Sequence, residues 1–247
     1  MPGLTAKPEN LRAKAYQHIR TKLFSGEVAP GEILSEENLS SEIGISRTPV
    51  REAMGQLVAE GFLDREAGRG TSVRRLSRAD VVELFELREA LEAYAVGKVA
   101  TYGLREAEAA RLDHLCARIQ ELAGELERRG GTLDKERMER FLALDLQFHA
   151  WLLRAAGNRR ILKVVYDARL FIRIFTMPHE GHTVEELHRI YDDHRGILAA
   201  CLAADAARAV QLCQAHIQRS ARERLEKFDR WERVSQIRLD EMEEPTL

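Results

Sequence analysis

The chain has 247 residues, 45% of them apolar and 32% charged, with a formal net charge of -2. That length accommodates two domains with substantial cores, and the composition belongs to a globular protein, which excludes a disordered or fibrous chain. A near-neutral balance also excludes a global polycation, so any affinity for nucleic acid must come from a local patch. Residues 1–10 carry Lys7 and Glu9 and no apolar stretch of the signal-peptide kind, and no run of the sequence is long enough to span a bilayer. Cys116, Cys201 and Cys213 are far apart and lie inside helical patterns, which does not make a disulfide framework. The expectation is a cytoplasmic protein with reduced thiols and no membrane partner.

In chain order, apolar residues at Tyr16, Ile19, Leu23 and Phe24 predict a helix from Leu11 to about Ser25, ended by Gly26 and Pro30-Gly31. Ser35 is placed to cap a short second helix, with Glu36 and Glu37 in its first turn and Gly44 closing it. Ser46 opens a third, whose apolar face is Val50, Ala53, Met54, Leu57 and Val58; Pro49 is tolerated because first-turn N–H groups have no intrahelical partner to lose. Two short alternating segments, 62–65 and 71–74, flank Gly68-Arg69-Gly70 and predict a small hairpin. This order is that of a winged helix-turn-helix, assigned to residues 1–76. Residues 77–231 contain no convincing strand. Helical segments near 78–101, 104–129, 133–156, 158–177, 183–203 and 205–231, with capping-box spacing at Ser77/Asp80 and Thr183/Glu186, predict an all-α antiparallel bundle of six helices. The fold class is mainly α, and residues 232–247 are expected to be a frayed tail.

In a helix-turn-helix the second helix of the motif enters the major groove and its N-terminal residues meet base edges. Here these are Ser46, Arg47, Thr48 and Arg51. Arg47 and Arg51 share one face at i and i+4, and each guanidinium can donate two hydrogen bonds to a guanine edge. Ser46 and Thr48 are short hydroxyls suited to phosphate contacts that set register. The hairpin adds Arg65, Arg69, Arg74 and Arg75, and Gly70 beside Arg69 permits close approach to a sugar-phosphate backbone. Residues 1–78 hold 12 Lys+Arg against 10 Asp+Glu, so the positive patch is one face and not the whole domain. Two arginines on a short helix are, taken alone, more consistent with an ordinary solvated face. The full string, from Pro30-Gly31-Glu32 through Ser46-Arg47-Thr48-Pro49-Val50-Arg51-Glu52-Ala53 to Gly68-Arg69-Gly70, resembles the GntR family of bacterial regulators. One departure is that the second helix carries Glu36, Glu37 and Asn38 where many members supply a basic residue to DNA, which implies a smaller contribution from that helix.

Asp145 and His149, at i and i+4, emerge from one helix face, while His194 and His216 lie on the two arms of a helical hairpin that turns near residue 204 and should face each other. One carboxylate and three imidazoles form an N/O donor set suited to Zn first, and also to Ni, Mn or Fe(II); an octahedral ion would keep two positions open. Buried histidines in a bundle also serve as packing and hydrogen-bonding residues. His18, His114, His179, His182 and His188 lack such partners and read as ordinary residues; Cys213, three before His216, reads as a core thiol. The arrangement is similar to the FCD type of C-terminal domain in the FadR-like branch of the GntR family, over about residues 79–225, and six helices are more like the VanR subgroup. The resemblance implies that Asp145, His149, His194 and His216 hold a divalent metal, that a small organic acid binds there, and that binding releases DNA. It also implies a homodimer on a palindromic double-stranded operator, which agrees with the low specificity of one short reading helix.

Arg88 falls on the apolar stripe Val81, Leu84, Leu91, Ala95, and an inward guanidinium needs an anion. A ligand carboxylate and Glu92 at i+4 are equally suitable. Arg169 and Arg173 are weaker candidates because their helix already has a full apolar face. Two rival functions remain: a metal-dependent hydrolase joined to a DNA-binding domain, for which no general base is evident, and a purely structural metal.

Overall fold

The computed structural model describes residues 10–175 apart from 67 and 69, and residues 181–243, with side chains through 233 except that of Glu66. Contacts divide the chain into two compact units that break between Leu76 and Ser77, with the short stretch from Arg173 counted in the first.

In the first unit, α1 (Leu11–Ser25) starts at Asn10, whose side chain accepts from the Ala13 N–H at 3.1 Å, and stops at Gly26 with φ 68°. Strand β1 (Ile33–Leu34) precedes α2 (Glu36–Ile43), which Ser35 caps by accepting from the Asn38 N–H at 3.3 Å. Helix α3 (Arg47–Ala59) follows; Ser46 supplies the extended backbone of a cap but no side-chain hydrogen bond to it. Val50, Ala53, Met54 and Leu57 of α3 are buried with Ala15, Ile19 and Leu23 of α1. Strands β2 (Leu63–Glu66) and β3 (Gly70–Val73) pair antiparallel from Leu63↔Val73 to Glu66↔Gly70. The sheet has a third member that the sequence pattern did not announce: β1 pairs with β3, Ile33↔Ser72 and Leu34↔Thr71, giving the order β1-β3-β2. Two residues are too few to show alternation, although Leu34 is buried while Ile33 is 61% exposed.

The second unit comprises α4 (Arg78–Tyr102), α5 (Glu106–Arg129), α6 (Lys135–Ala155), α7 (Arg159–Phe175), α8 (Val184–Leu202) and α9 (Ala206–Glu243). Both expected capping boxes form, at Ser77/Asp80 before α4 and Thr183/Glu186 before α8. Helix α9 runs on to Glu243, past the boundary at 231 expected from the pattern, because no glycine or proline interrupts Ala206 to Glu243. Ile119, Leu122, Ala123 and Leu126 of α5 pack with Met138 and Phe141 of α6 and Leu187 of α8 in one apolar cluster. Helix α4 lies along α9, antiparallel, close enough that a Cβ on Gly97 would come within 2.9 Å of Val210 Cγ2.

The cap of α8 carries a pH signature. Glu186 accepts from the Thr183 N–H at 2.9 Å and lies 3.0 Å from His182 Nδ1; the His182 contact, opposed by partial burial, holds its carboxyl down from 4.5 to about 2. A depressed carboxyl contributes stability that is complete above its unfolded value and lost as pH falls through the folded one. Urea melts are expected to show this contribution vanish between about pH 4.5 and 2, and Glu186→Gln to flatten that acid limb.

Candidate nucleic-acid interface and metal centre

The first turn of α3 presents Ser46, Arg47, Thr48 and Arg51 on one exposed surface. Neither arginine is idle there. Glu36 accepts from Arg51 Nε at 3.1 and 3.0 Å and from Arg51 Nη2 at 2.8 Å, and Glu37 Oε1 lies 2.8 Å from Arg47 Nη2. The acidic start of α2 thus pairs with both guanidiniums on this exposed surface. In the hairpin, Arg65 and Gly70 are exposed, and Gly70 takes φ 97°, a conformation that favours glycine. Arg75 does not extend with them: its guanidinium folds over Gly31 and donates to the Pro30 carbonyl at 3.4 Å. Arg69 lies outside the described residues, as does His179.

In the second unit α6, α8 and α9 bring Asp145, His149, His194 and His216 together, with one ligand atom from each lying within 4.8 Å of all the others. The three imidazoles form a triangle with centroids 5.1, 5.3 and 5.0 Å apart, and Phe148 stacks on His194 at 4.0 Å. Asp145 Oδ1 is 3.6 Å from His149 Nε2 and 3.5 Å from His194 Nε2. His149 Nε2 and both nitrogens of His194 are buried without a hydrogen-bond partner. Orphaned buried nitrogens are rare and costly, and here the two Nε2 atoms among them lie nearest one carboxylate, Asp145.

The outward nitrogens are held by other carboxylates. His149 Nδ1 is 2.7 Å from Glu92 Oε2, and His216 Nδ1 is 3.0 Å from Asp193 Oδ2; an ionised carboxylate only accepts, so each ring donates from Nδ1 and turns an Nε2 lone pair inward. Burial, reinforced by its neighbouring imidazoles, pushes His194 well below its ordinary value, and burial also lowers His216 against the pull of Asp193. Both are therefore neutral, the form that ligates metal. Burial opposes ionisation of Asp145, yet Arg169 together with His149 and His194 outweighs it and holds that carboxyl well below the usual range. Three imidazoles and a carboxylate form a borderline N/O set that fits a divalent transition metal. Cys213 is buried and not part of this cluster, and burial pushes its thiol up.

Glu92 on α4 ties the centre together. Its Oε1 accepts from Arg88 Nε at 2.9 Å and from Arg169 Nε at 3.2 Å, and its Oε2 accepts from Arg169 Nη2 at 2.9 Å and His149 Nδ1 at 2.7 Å. Arg169 Nη1 also donates to Asp145 Oδ2 at 3.0 Å. Arg88 thus has the internal partner that its i+4 spacing allowed. Arg169, rated weaker on the sequence because its helix face looked fully apolar, is 8% exposed and bridges the buried Glu92 and the partly buried Asp145. Sequence reasoning also missed Glu92 as the support of His149 and Asp193 as that of His216; the signal for Asp193 was an acidic residue adjoining a candidate ligand.

The fold and the two clusters define a winged-helix DNA-binding protein with an all-helical second domain. Comparison with known proteins agrees: the family model described as "Bacterial regulatory proteins, gntR family" matches residues 11–73, and the FCD domain model matches residues 83–219. The HTH-type transcriptional regulator YdhC of Bacillus subtilis (strain 168) is 32% identical over 188 residues, 74% of this chain and 80% of that protein. The gluconate operon transcriptional repressor of the same organism is 26% identical over 203 residues, 80% of this chain and 77% of that protein. Among solved structures, E. coli McbR/YncC shares the fold with a TM-score of 0.70 at 19% identity, over 91% of this chain and 100% of that one. The chain belongs to the GntR family of transcriptional regulators and carries an FCD domain. Its relatives are regulators, several named as repressors, which sets aside the hydrolase alternative.

Removing Glu92 would strand Arg88 in the interior, leave Arg169 with Asp145 alone, and release His149. Glu92→Ala is expected to cost about 3–5 kcal/mol in denaturant unfolding, as for a buried pair deprived of one partner. Metal affinity of the folded fraction should drop about 10–100-fold by competition with a chromogenic chelator. An unchanged affinity would mean that Glu92 does not set the ring orientation.

Proposed function

We propose that this GntR-family regulator is a cytoplasmic repressor that binds a palindromic operator as a homodimer and is released when a small organic acid binds at the metal centre. In this reading Arg47 and Arg51 meet base edges, Ser46 and Thr48 set register on phosphates, and Arg69 and Gly70 at the wing tip follow the sugar-phosphate backbone. Asp145, His149, His194 and His216 hold the ion, with zinc first and nickel, manganese or iron next by donor chemistry, and Arg88 contributes positive charge to the acid. The observation that carries the sensing part is the pair of orphaned Nε2 atoms of His149 and His194 beside Asp145 Oδ1. A divalent ion there supplies a Lewis-acidic position for a carboxylate.

The chain's own residues link that event to DNA. Glu92, which holds His149 and Arg169, sits on α4, and α4 follows strand β3 after only the short segment 74–77. Binding that draws on Arg88 or shifts His149 changes the load on Glu92 and hence the packing of α4. Glu36 and Glu37 bear on the other end: they pre-set Arg51 and Arg47, and they cancel charge that would otherwise favour any DNA equally.

Selection of bound DNA from a random pool, repeated with a panel of organic acids, tests the reading, since it yields an operator and an effector class together. On the selected operator, Arg47→Ala is expected to cost about 1–3 kcal/mol at the contacted base pair and to relax specificity there. Arg69→Ala should weaken all sequences evenly and flatten the salt dependence. The reverse pattern would assign sequence reading to the wing, and operator affinity unmoved by every acid would overturn the sensing mechanism.

A further inference from the structure

The backbone of Glu36 is fixed by its neighbours in the chain. Only Ser35, the cap of α2, separates it from Leu34 of β1, which is buried and paired with Thr71. Glu36 therefore opens α2, where unsatisfied N–H groups and the helix dipole favour an anion. Arg51 is equally fixed in its backbone, since Val50, Ala53 and Met54 around it on α3 are buried.

The contact between the two side chains uses one edge of the guanidinium. Arg51 Nε donates to Glu36 Oε1 at 3.1 Å and to Oε2 at 3.0 Å, and Nη2 donates to Oε2 at 2.8 Å. A guanidinium presents its N–H donors as a rigid planar fork, and this contact takes the Nε–H and one N–H of Nη2. Nη1 and the second N–H of Nη2 have no partner among the described residues. That remaining edge is the one that fits O6 and N7 of a guanine. The Glu36 side chain is 29% exposed and that of Arg51 63%, so the carboxylate is the sunken member and the guanidinium the outward one.

Arg47 is held differently. Its Nη2 lies 2.8 Å from Glu37 Oε1, a single contact between side chains that are 58% and 70% exposed. Glu37 restrains Arg47 without choosing which of its edges is free.

Both acids oppose simple affinity for DNA. A surface that only gathered phosphates would bind better without them, because every cation left to meet a phosphate strengthens binding to any sequence. Nor does an exposed pair add much to the stability of the fold. Orientation is what the Glu36 contact provides and the Glu37 contact does not. Hydrogen bonding from Arg51, with the charges of Arg51, Arg65 on β2 and Arg47, holds the Glu36 carboxyl below its ordinary range against partial burial. At neutral pH it is thus ionised and an acceptor only.

We propose that Glu36 is a specificity-determining residue: it stays paired with Arg51 on DNA, keeps the Nε edge from phosphates, and commits the Nη1/Nη2 edge to a guanine in the major groove. This rests on the reading of α3 as the helix that meets base edges. Arg51 is then the ordered reader of one G·C pair. Glu37, by contrast, sets affinity and not the choice of base at that pair.

The test is competition binding of the full-length protein to an operator selected from a random pool, with each base pair varied in turn, for wild type, Arg51→Ala, Glu36→Gln and Glu37→Gln. Arg51→Ala identifies the pair that Arg51 reads, and 7-deazaguanine at that pair, which lacks N7, should weaken wild type but not Arg51→Ala. There Glu36→Gln is expected to lower discrimination against the other bases about tenfold, the size of one lost bidentate contact. Its affinity for unrelated DNA should rise, with a salt dependence steeper by about one unit. Glu37→Gln removes the same charge and should raise affinity for unrelated DNA to a similar extent, with discrimination at that pair intact. Both glutamine variants should melt with wild type. Equal effects of the two on discrimination, a uniform gain for all sequences in Glu36→Gln, or a pair other than G·C at the position Arg51 reads overturns the proposal and leaves α3 as the reading helix. An Arg51→Ala protein that relaxes no base pair overturns both the proposal and the assignment of Arg51 to a base edge.

Discussion

The carboxylate of Glu92 is the interaction on which the second unit's polar interior depends. At 1% exposure it sits among Arg88, Arg169 and His149, which come from its own helix, from α7 and from α6. Burial alone would favour its protonated form, but Arg169 and Arg88 together hold it well below the ordinary carboxylate range. Ionised, it serves as pure acceptor for four N–H groups, and from this follow the tautomer of His149 and the aim of its Nε2. Asp193 does the same for His216 with help from Arg219, whose guanidinium contacts the same carboxylate oxygen. The two rings of this candidate centre are therefore oriented by the protein's own carboxylates.

Much of this was legible in the sequence, and the parts that were not have physical reasons. Helix ends announced themselves through Ser35, Ser77, Thr183 and the glycines, since caps and left-handed stops are local chemistry. The two pairs of candidate ligands followed from spacing along one helix and across one hairpin, both short-range relations, while their union in one ligand set was implied by the resemblance to the FCD domain. Strand β1 went unseen because two residues carry no period, and the end of α9 was misplaced because the apolar pattern ended before the helix did. Arg169 and its bridge from Glu92 to Asp145 join helices far apart in sequence, and such a contact leaves no mark on local periodicity.

The two units handle buried and exposed charge differently. On the exposed face of α3, Glu36 and Glu37 pair with Arg51 and Arg47 in water, where such pairs are worth little. Inside the bundle the same residue types are locked, because breaking a dehydrated pair costs several kcal/mol. The first arrangement suits reversible reading of a sequence. The second suits a site whose geometry must persist while its occupancy changes.

The claim that the interior of the second unit is pre-arranged as a metal centre is tested most directly by the X-ray absorption spectrum of the zinc-loaded full-length protein. The predicted first shell contains nitrogen and oxygen only at ~2.0–2.1 Å, with the multiple-scattering signature of three imidazoles. In His194→Ala that signature should fall by one imidazole. A sulfur shell at ~2.3 Å, fewer than two imidazoles, or a protein that retains no zinc after desalting would contradict it.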